Sequence, residues 1–532
     1  MQLLALVFKR RVRIFIMLVL LGLSAGGIHV WLLVMINKTL NGLMEGEKAN
    51  LAFLLSALGL LLIYLVLNRV LSGITIRFSQ QIVHDIRMQL IRSGLRSGYH
   101  DMKEKQELLY VAVTKDVLAV SHAALSSIVL VTAIVTVIGC LIYLAYLSFI
   151  VLIFIALVAF SGVGIFMLGS RTNLKYLQNA RESEDVLFHH IRQVIDGFRE
   201  IKINPAKGDA LVEGPLQEES LRNYENASKG FTGYYNNNLI SQFLFYVALI
   251  SLLFLGGTWL NIPAPVLMSC IIVTLYLVGP LESIAGLMPD LGAGNIAAVR
   301  LDDLLRSFEE NEKPVTEQVL PPLQHLEYQS VRFEYRVSET GFSLGPIDFE
   351  LKKGEVVFIY GGNGSGKTTL LHIVLGLLQA QEGKLFLNGE EIVSGEIPNT
   401  LFAPVFSDFH LFDRLYGIGV IDKERANRYL KLFELEDKIS IETDRFSSLK
   451  LSTGQRKRLA FIAILLENRP VLLLDEWAAD QDPAFRAKFY LKIIPILKEE
   501  GFTILAITHD DKYYERADSL YRMESGALIK EK

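Results

Sequence analysis

Apolar positions are distributed very unevenly along this chain. Residues 14–36, 51–76 and 123–170 are almost purely apolar, and two further apolar runs fill 238–260 and 265–288. Residues 323–532, in contrast, mix apolar and polar positions as a water-soluble domain does. A helix needs roughly 20 apolar residues to cross the hydrocarbon core of a bilayer, so the pattern predicts six spans, near 14–36, 51–76, 123–144, 148–170, 238–260 and 265–288. No charged residue separates His122 from Arg171. That stretch is about twice one span, and it predicts two helices joined by a tight turn near Ala145 to Ser148.

The two long loops between spans are not ordinary linkers. Residues 79–95 and 176–203 keep apolar positions at helical spacing without strong breakers, so the spans are expected to continue as helices beyond the membrane and to turn near residues 99–106 and 204–209, where Gly, Pro, His and charges cluster. Basic residues set the orientation. Lys9, Arg10, Arg11 and Arg13 flank the first span, Arg77 to Lys115 and Arg171 to Lys202 populate the two long loops, and the third and fifth loops carry none. By the positive-inside rule both termini and the two long loops are cytoplasmic. The basic start followed by an apolar run has the flavour of a secretory signal, but the run is too long and lacks a small-residue cleavage pattern, so it reads as a retained first span.

Composition narrows the classes. The 532 residues carry a net charge of −4, the pI is near 6.3 and the mean hydropathy is +0.34; there is no basic face to bind nucleic acid. The two cysteines, Cys140 and Cys270, lie in apolar runs and read as small core residues. Within or next to the spans stand four ionisable groups, His29, Arg69, Glu282 and Asp290. They are too few for a proton relay but are candidates for a polar path. Trp31, Tyr143, Phe245 and Met268 are candidates for an apolar cavity, with packing as the simpler reading of each.

Beyond Asp302 the chain turns polar, and Pro314, Pro321 and Pro322 break any helix. The expected division is a transmembrane domain over 1–310, a linker over 311–322 and a second domain over 323–532. In that second domain the strand candidate EVVFIY is followed by GGNGSGKT and then by a helical run. This is the phosphate-binding pattern in its strand, loop, helix context. Gly361, Gly362, Asn363, Gly364, Ser365 and Gly366 supply backbone N–H groups to a phosphate. Lys367 is expected to reach the β- and γ-phosphates of ATP, the Thr368 hydroxyl to hold Mg²⁺, and Thr369 to complete the loop. The run LLLDEWAADQD, residues 472–482, ends an apolar strand in two acids. Asp475 is expected to hold Mg²⁺ opposite the loop, and Glu476 to orient or deprotonate the attacking water.

These residues resemble the ATP-binding-cassette (ABC) family. LSTGQRKRLA is similar to its signature, with Leu451, Ser452, Thr453, Gly454 and Gln455 matching and Thr453 replacing a glycine. ILAITHD places His509 at the switch histidine, and VRFEY places Tyr335 at the adenine-stacking aromatic. The resemblance implies a type I exporter fold, an all-α six-helix transmembrane domain fused to an α/β P-loop nucleotide-binding domain. It also implies a homodimer, because the signature serves the ATP held by a second copy. Asp480 and Asp482 then fall at the dimer-interface loop. Two departures stand out. Ser407, followed by Asp408, replaces the usual metal-contacting Gln, and Trp477 begins an unusual continuation of the acidic motif. Trp477, Asp480, Gln481, the short GGNGSGKT loop and SDFHLFD together resemble the branch that exports cyclic peptides, siderophore precursors, lipopeptides and lasso peptides.

The expected function is therefore an ATP hydrolase coupled to export of a peptide-type product across the bacterial inner membrane, with ATP and Mg²⁺ and with periplasmic or outer-membrane efflux components as compatible partners. Two alternatives remain at this stage, a flippase for a lipid or lipid-linked glycan and a nucleotide-sensing regulatory ATPase. A soluble chromosome ATPase is excluded by the spans.

Overall fold

A computed structural model describes residues 2–44, 51–260, 262–310, 322–334, 342–392 and 399–532. Tyr335 and most of the expected linker lie outside the described residues. The chain forms two compact units, one of residues 1–94 and 107–307, the other of residues 95–106 and 308–532. The short segment 95–106 thus packs with the nucleotide domain rather than with the spans that flank it in sequence.

Residues up to 309 form helices α1 (Gln2–Met44), α2 (Leu51–Arg96), α3 (Tyr99–Val111), α4 (Val117–Leu147), α5 (Phe149–Asp196), the short α6 (Phe198–Ile203) and α7 (Pro205–Leu211), then α8 (Gln217–Thr258) and α9 (Ala264–Glu309), and most of α3 belongs to the second unit. Among the described residues five helical stretches are long and apolar enough to cross a membrane, and a shorter apolar stretch, Phe149–Gly162, opens α5. At 1.5 Å per residue the 46 residues of α2 extend ~69 Å, more than twice a hydrocarbon core, so the helix continues past the membrane as its apolar spacing predicted. The tight turn is where expected. Ser148 alone is extended between α4 and α5, and its hydroxyl accepts from the Val151 amide to start the new helix.

Small residues let these helices approach closely. Asn173 of α5 sits over Gly233 of α8, and Asn237 of α8 sits over Gly169 of α5, so that an added Cβ at either glycine would lie within 2.2 Å of the facing amide. The pairing is reciprocal and fixes the register of the two longest-packed helices. Cys140 and Cys270 are free and buried in one apolar cluster with Leu144, Val273 and Phe245. Phe245 is therefore packing. Trp31 is exposed.

The second unit begins with β1 (His325–Glu334), β2 (Ser343–Lys352) and β3 (Val356–Gly361), followed by α10 (Lys367–Val374), β4 (Glu382–Leu387), β5 (Glu390–Ile392) and β6 (Phe402–Val405). Next come α11 (Lys423–Leu432), β7 (Ile441–Glu442), β8 (Arg445–Phe446), α12 (Thr453–Leu466) and β9 (Val471–Asp475). The chain closes with α13 (Pro483–Lys488), α14 (Ile494–Glu499), β10 (Thr503–Ile507), β11 (Ser519–Glu524) and β12 (Ala527–Lys530). A six-stranded sheet runs in the order β12-β11-β3-β10-β9-β6, parallel except for β12, and an antiparallel sheet runs β2-β1-β4-β5.

Alternation explains why the central strands read as unbroken apolar runs. Leu472 and Leu474 enter a core shared with α11 to α14, while Val471 and Leu473 enter the core shared with α10 and the antiparallel sheet. A parallel strand covered on both faces has no polar side to display.

Candidate nucleotide site

Register assembles the site. Ile507 of β10 pairs with Ile359 of β3 and with Asp475 of β9, and Val405 of β6 pairs with Leu474. Four parallel strands therefore end at one level, and everything that follows them, the 361–366 loop, Ser407, Glu476 and His509, collects at the carboxyl edge of the sheet, where open α/β sheets bind ligands.

The glycine loop is shaped by what surrounds it. Gly364 and Gly366 take positive φ angles, +76° and +109°. A Cβ at Gly361 would lie 2.2 Å from the Met523 carbonyl oxygen, so no larger residue fits there. Lys367 folds back and donates to the carbonyls of Gly361 and Gly362 at 2.9 and 3.0 Å. The Ser365 hydroxyl is buried and has no hydrogen-bond partner among the described residues. An orphaned buried hydroxyl costs free energy, and an acceptor such as a phosphate oxygen would satisfy it. A cleft of about 400 Å³ is lined by residues 363–369 together with Glu476 and Phe342. Phe342 was not legible as a site residue, because nothing in its spacing distinguishes it from a strand-end aromatic.

Asp475 is 4% exposed, and Ser407 donates its amide to Asp475 Oδ2 at 3.4 Å. Burial holds the Asp475 carboxyl above its ordinary range, with Ser407 and Lys457 acting in the opposite sense. Such a group favours a cation beside it. Between Ser407 and Asp408, the structure puts Ser407 against Asp475. Asp408 instead adds its charge near His372.

Glu476 has a left-handed backbone, φ 47° and ψ 37°. This is a costly conformation for a residue with a Cβ, and it is secured by the Glu476 amide donating to the Ile507 carbonyl at 3.1 Å. The turn carries its carboxylate to His509, whose Nε2 is 3.0 Å from Glu476 Oε1. His509 is held from both sides: the Tyr490 hydroxyl bonds Thr508 Oγ1 at 2.6 Å and Asp510 Oδ2 at 2.9 Å. Tyr490 went unrecognised in the sequence because it sits in an apolar helix with no motif around it.

The signature residues form a different place. Ser452 and Gln455 make a capping box at the start of α12, Leu451 packs on the helical core, and Thr453 is exposed. A Cβ at Gly454 would lie 2.9 Å from the Asp480 carbonyl oxygen. None of these residues lines the phosphate cleft of the same chain. The loop after Glu476 is tied instead to α12. Asp480 pairs with Lys457 at 2.8 Å, Asp482 pairs with Arg458 at 2.9 Å, and Trp477 donates its indole N–H to the Lys457 carbonyl at 3.1 Å. Asp482 also caps α13 through the Phe485 amide. Trp477, 1% exposed, is ringed by Phe433, Phe461, Phe485 and Phe489 at 4.5–6.4 Å.

In the same unit, Tyr99 of the 95–106 segment lies 5.3 Å from the His372 ring on α10, which in turn contacts Phe406 at 6.0 Å. Burial and the nearby Lys103 hold His372 below its ordinary range. The helix that starts at the phosphate loop thus ends against the turn between two spans.

Comparison with known proteins agrees with this geometry. The family model described as ABC transporter matches residues 344–479. The "ATP-binding protein SyrD" of Pseudomonas syringae pv. syringae is 36% identical over 409 residues, covering 73% of this chain and 71% of that protein. The "Fe(3+) ions import ATP-binding protein FbpC" of Pasteurella multocida is 32% identical over 194 residues, 34% of this chain and 55% of that protein. A bacterial Atm1-family ABC exporter solved with ATP bound superposes with a TM-score of 0.77 at 15% identity, covering 98% of this chain and 94% of that one. The chain belongs to the ABC transporter family, as a half-transporter of exporter fold whose ATP hydrolysis is coupled to transport.

Proposed function

We propose that the chain works as a homodimer that exports a peptide-type natural product, a cyclic peptide, siderophore precursor or lipopeptide, across the bacterial inner membrane, with its nucleotide domain in the cytoplasm. One observation carries the dimer. Each chain has one phosphate cleft closed by Glu476 and one signature segment that lies outside that cleft, so each cleft lacks a wall that a second copy supplies.

In this reading the 361–366 loop and Lys367 bind the β- and γ-phosphates of ATP, with Ser365 gaining its missing partner. Thr368, Asp475 and Ser407 are the residues that would hold Mg²⁺, which supplies charge neutralisation on the transferred phosphoryl group. Glu476 orients the attacking water and accepts its proton, and His509 fixes the Glu476 carboxylate and faces the γ-phosphate. Ser452 and Gly454 meet the partner's ATP. Closure of the two nucleotide domains is passed to the spans through residues 99–106, whose Tyr99 stands on the phosphate-loop helix.

The substrate class rests on the Trp477 to Asp482 loop and its resemblance to peptide exporters. The spans support it against a lipid-linked diphosphate. Glu282 accepts from Gln242, Asp290 accepts from Ser126 at 3.1 Å, and among the described residues no cation is within ion-pair distance of either carboxylate. Two acidic side chains without a basic partner offer nothing to pair with an anionic head group. Protein reconstituted in vesicles should show ATPase stimulated by a cyclic lipopeptide and not by a lipid-linked glycan; the reverse outcome would reject the peptide reading.

A further inference from the structure

Lys457 lies on α12, two residues beyond Gln455, and its side chain bonds to the stretch that follows β9. Its side chain is 1% exposed. Its Nζ donates to the Glu476 carbonyl at 3.0 Å and to Asp480 Oδ2 at 2.8 Å. A buried ammonium is tolerated only where carbonyls and carboxylates replace its water. Here the replacements are the backbone of the residue that completes the phosphate cleft and the loop that follows it.

The rest of the contact is equally specific. The Lys457 carbonyl accepts the Trp477 indole N–H. Arg458 donates to Gln481 Oε1 at 2.8 Å and to Asp482 at 2.9 Å, and its guanidinium stacks 3.3 Å over the Phe485 ring. Gln481 closes the circuit by donating to the Gly454 carbonyl at 3.2 Å. The first turns of α12 and the stretch 476–482 are thereby clamped into one body.

That clamp joins the signature end of α12 to the residue that completes the phosphate cleft. Lys457 stands one turn beyond Gly454, so any displacement of the signature end of α12 carries Nζ with it. Nζ holds the carbonyl of Glu476, whose left-handed backbone aims the carboxylate. We propose that Lys457 is a positioning residue that conveys contact between the signature segment and the partner's ATP to the placement of Glu476 over the chain's own ATP. The inference rests on the dimeric site described above. Because both chains of a homodimer carry the same clamp, each Glu476 answers to the ATP at the other site, and the two hydrolytic sites become interdependent.

The test uses the full-length protein in lipid nanodiscs. Wild type should hydrolyse ATP with a Hill coefficient above 1. Lys457→Met should bind a fluorescent ATP analogue with unchanged affinity while kcat falls about 10²-fold, the loss that a misplacement of about 1 Å produces, and the Hill coefficient falls to 1. Lys457→Arg should restore part of both. Asp480→Asn leaves the lysine in place and takes the charge from one of its two anchors, so it serves where Lys457→Met does not fold, and it should also bring the Hill coefficient to 1. In a double-mutant cycle the two changes should be non-additive. A Hill coefficient that stays above 1 in Asp480→Asn, or a wild-type value of 1, would overturn the proposal. A wild type that hydrolyses no ATP would instead reject the hydrolytic reading on which it rests.

Discussion

His509 Nε2 stands 3.0 Å from Glu476 Oε1, across the ends of two neighbouring parallel strands. The pair exists because Ile507 and Asp475 share a register position, so that the first residue past one strand and the second past the other are brought together. Replacing Glu476 by Gln should lower ATP turnover by about 10²–10⁴-fold, the span of general-base effects, and leave an ATP-bound dimer. His509→Ala should cost less, and adding it to Glu476→Gln should cost little more, because residues that act as a unit are not additive. Phosphate release and size-exclusion with ATP check both outcomes.

Asp475 carries a stability cost in the absence of nucleotide. Its carboxyl is raised above the ordinary value of 3.8 by burial, so in the window just above 3.8 the folded state binds more protons than the unfolded one. Stability there falls as pH rises and levels off above the raised value. Asp475→Asn should therefore stabilise the nucleotide-free protein at neutral pH by about 1 kcal/mol, the low end of the penalty for an under-satisfied buried group. The same change should abolish Mg²⁺-dependent hydrolysis. Thermal unfolding of the two proteins without nucleotide and with Mg-ATP separates the effects.

Trp477 is both a core aromatic and a donor to the Lys457 carbonyl. Trp477→Ala should destabilise the nucleotide domain by about 3–5 kcal/mol, lowering the unfolding midpoint by about 10 °C. Trp477→Phe should lose the hydrogen bond and part of the volume, and so cost less. Midpoints of unfolding in detergent give the comparison.

Tyr99 touches His372, and neither residue lines the cleft. Tyr99→Ala should weaken transport and substrate-stimulated ATPase by roughly tenfold, as expected for loss of a coupling free energy in the 1–3 kcal/mol range, with a smaller effect on unstimulated turnover. Paired measurements of transport and phosphate release in one vesicle preparation test this.

Much of the architecture was legible because it follows from local rules. The apolar runs gave the long helices, and the absence of charge over residues 123–170 gave the hairpin turning at Ser148. The glycine loop, Asp475 and His509 were legible because each follows an apolar strand at its carboxyl end. What escaped depends on pairing at a distance. Lys457 and Arg458 read as ordinary basic positions until the 476–482 loop folds onto them. Phe342 and Tyr490 reach the site through topology alone. The membership of residues 95–106 in the second unit was equally hidden, since sequence places them between two spans.

The one-residue turn at Ser148 makes a lever. With a single extended residue between α4 and α5, the tip of this helical hairpin has little slack to absorb motion. The 48 residues of α5 extend ~72 Å from that point. A pivot of about 5° there would sweep the far end of α5 through ~6 Å, on the scale of one helical turn. Small angular changes at this tip are thereby magnified into ångström-scale travel at the far end of α5.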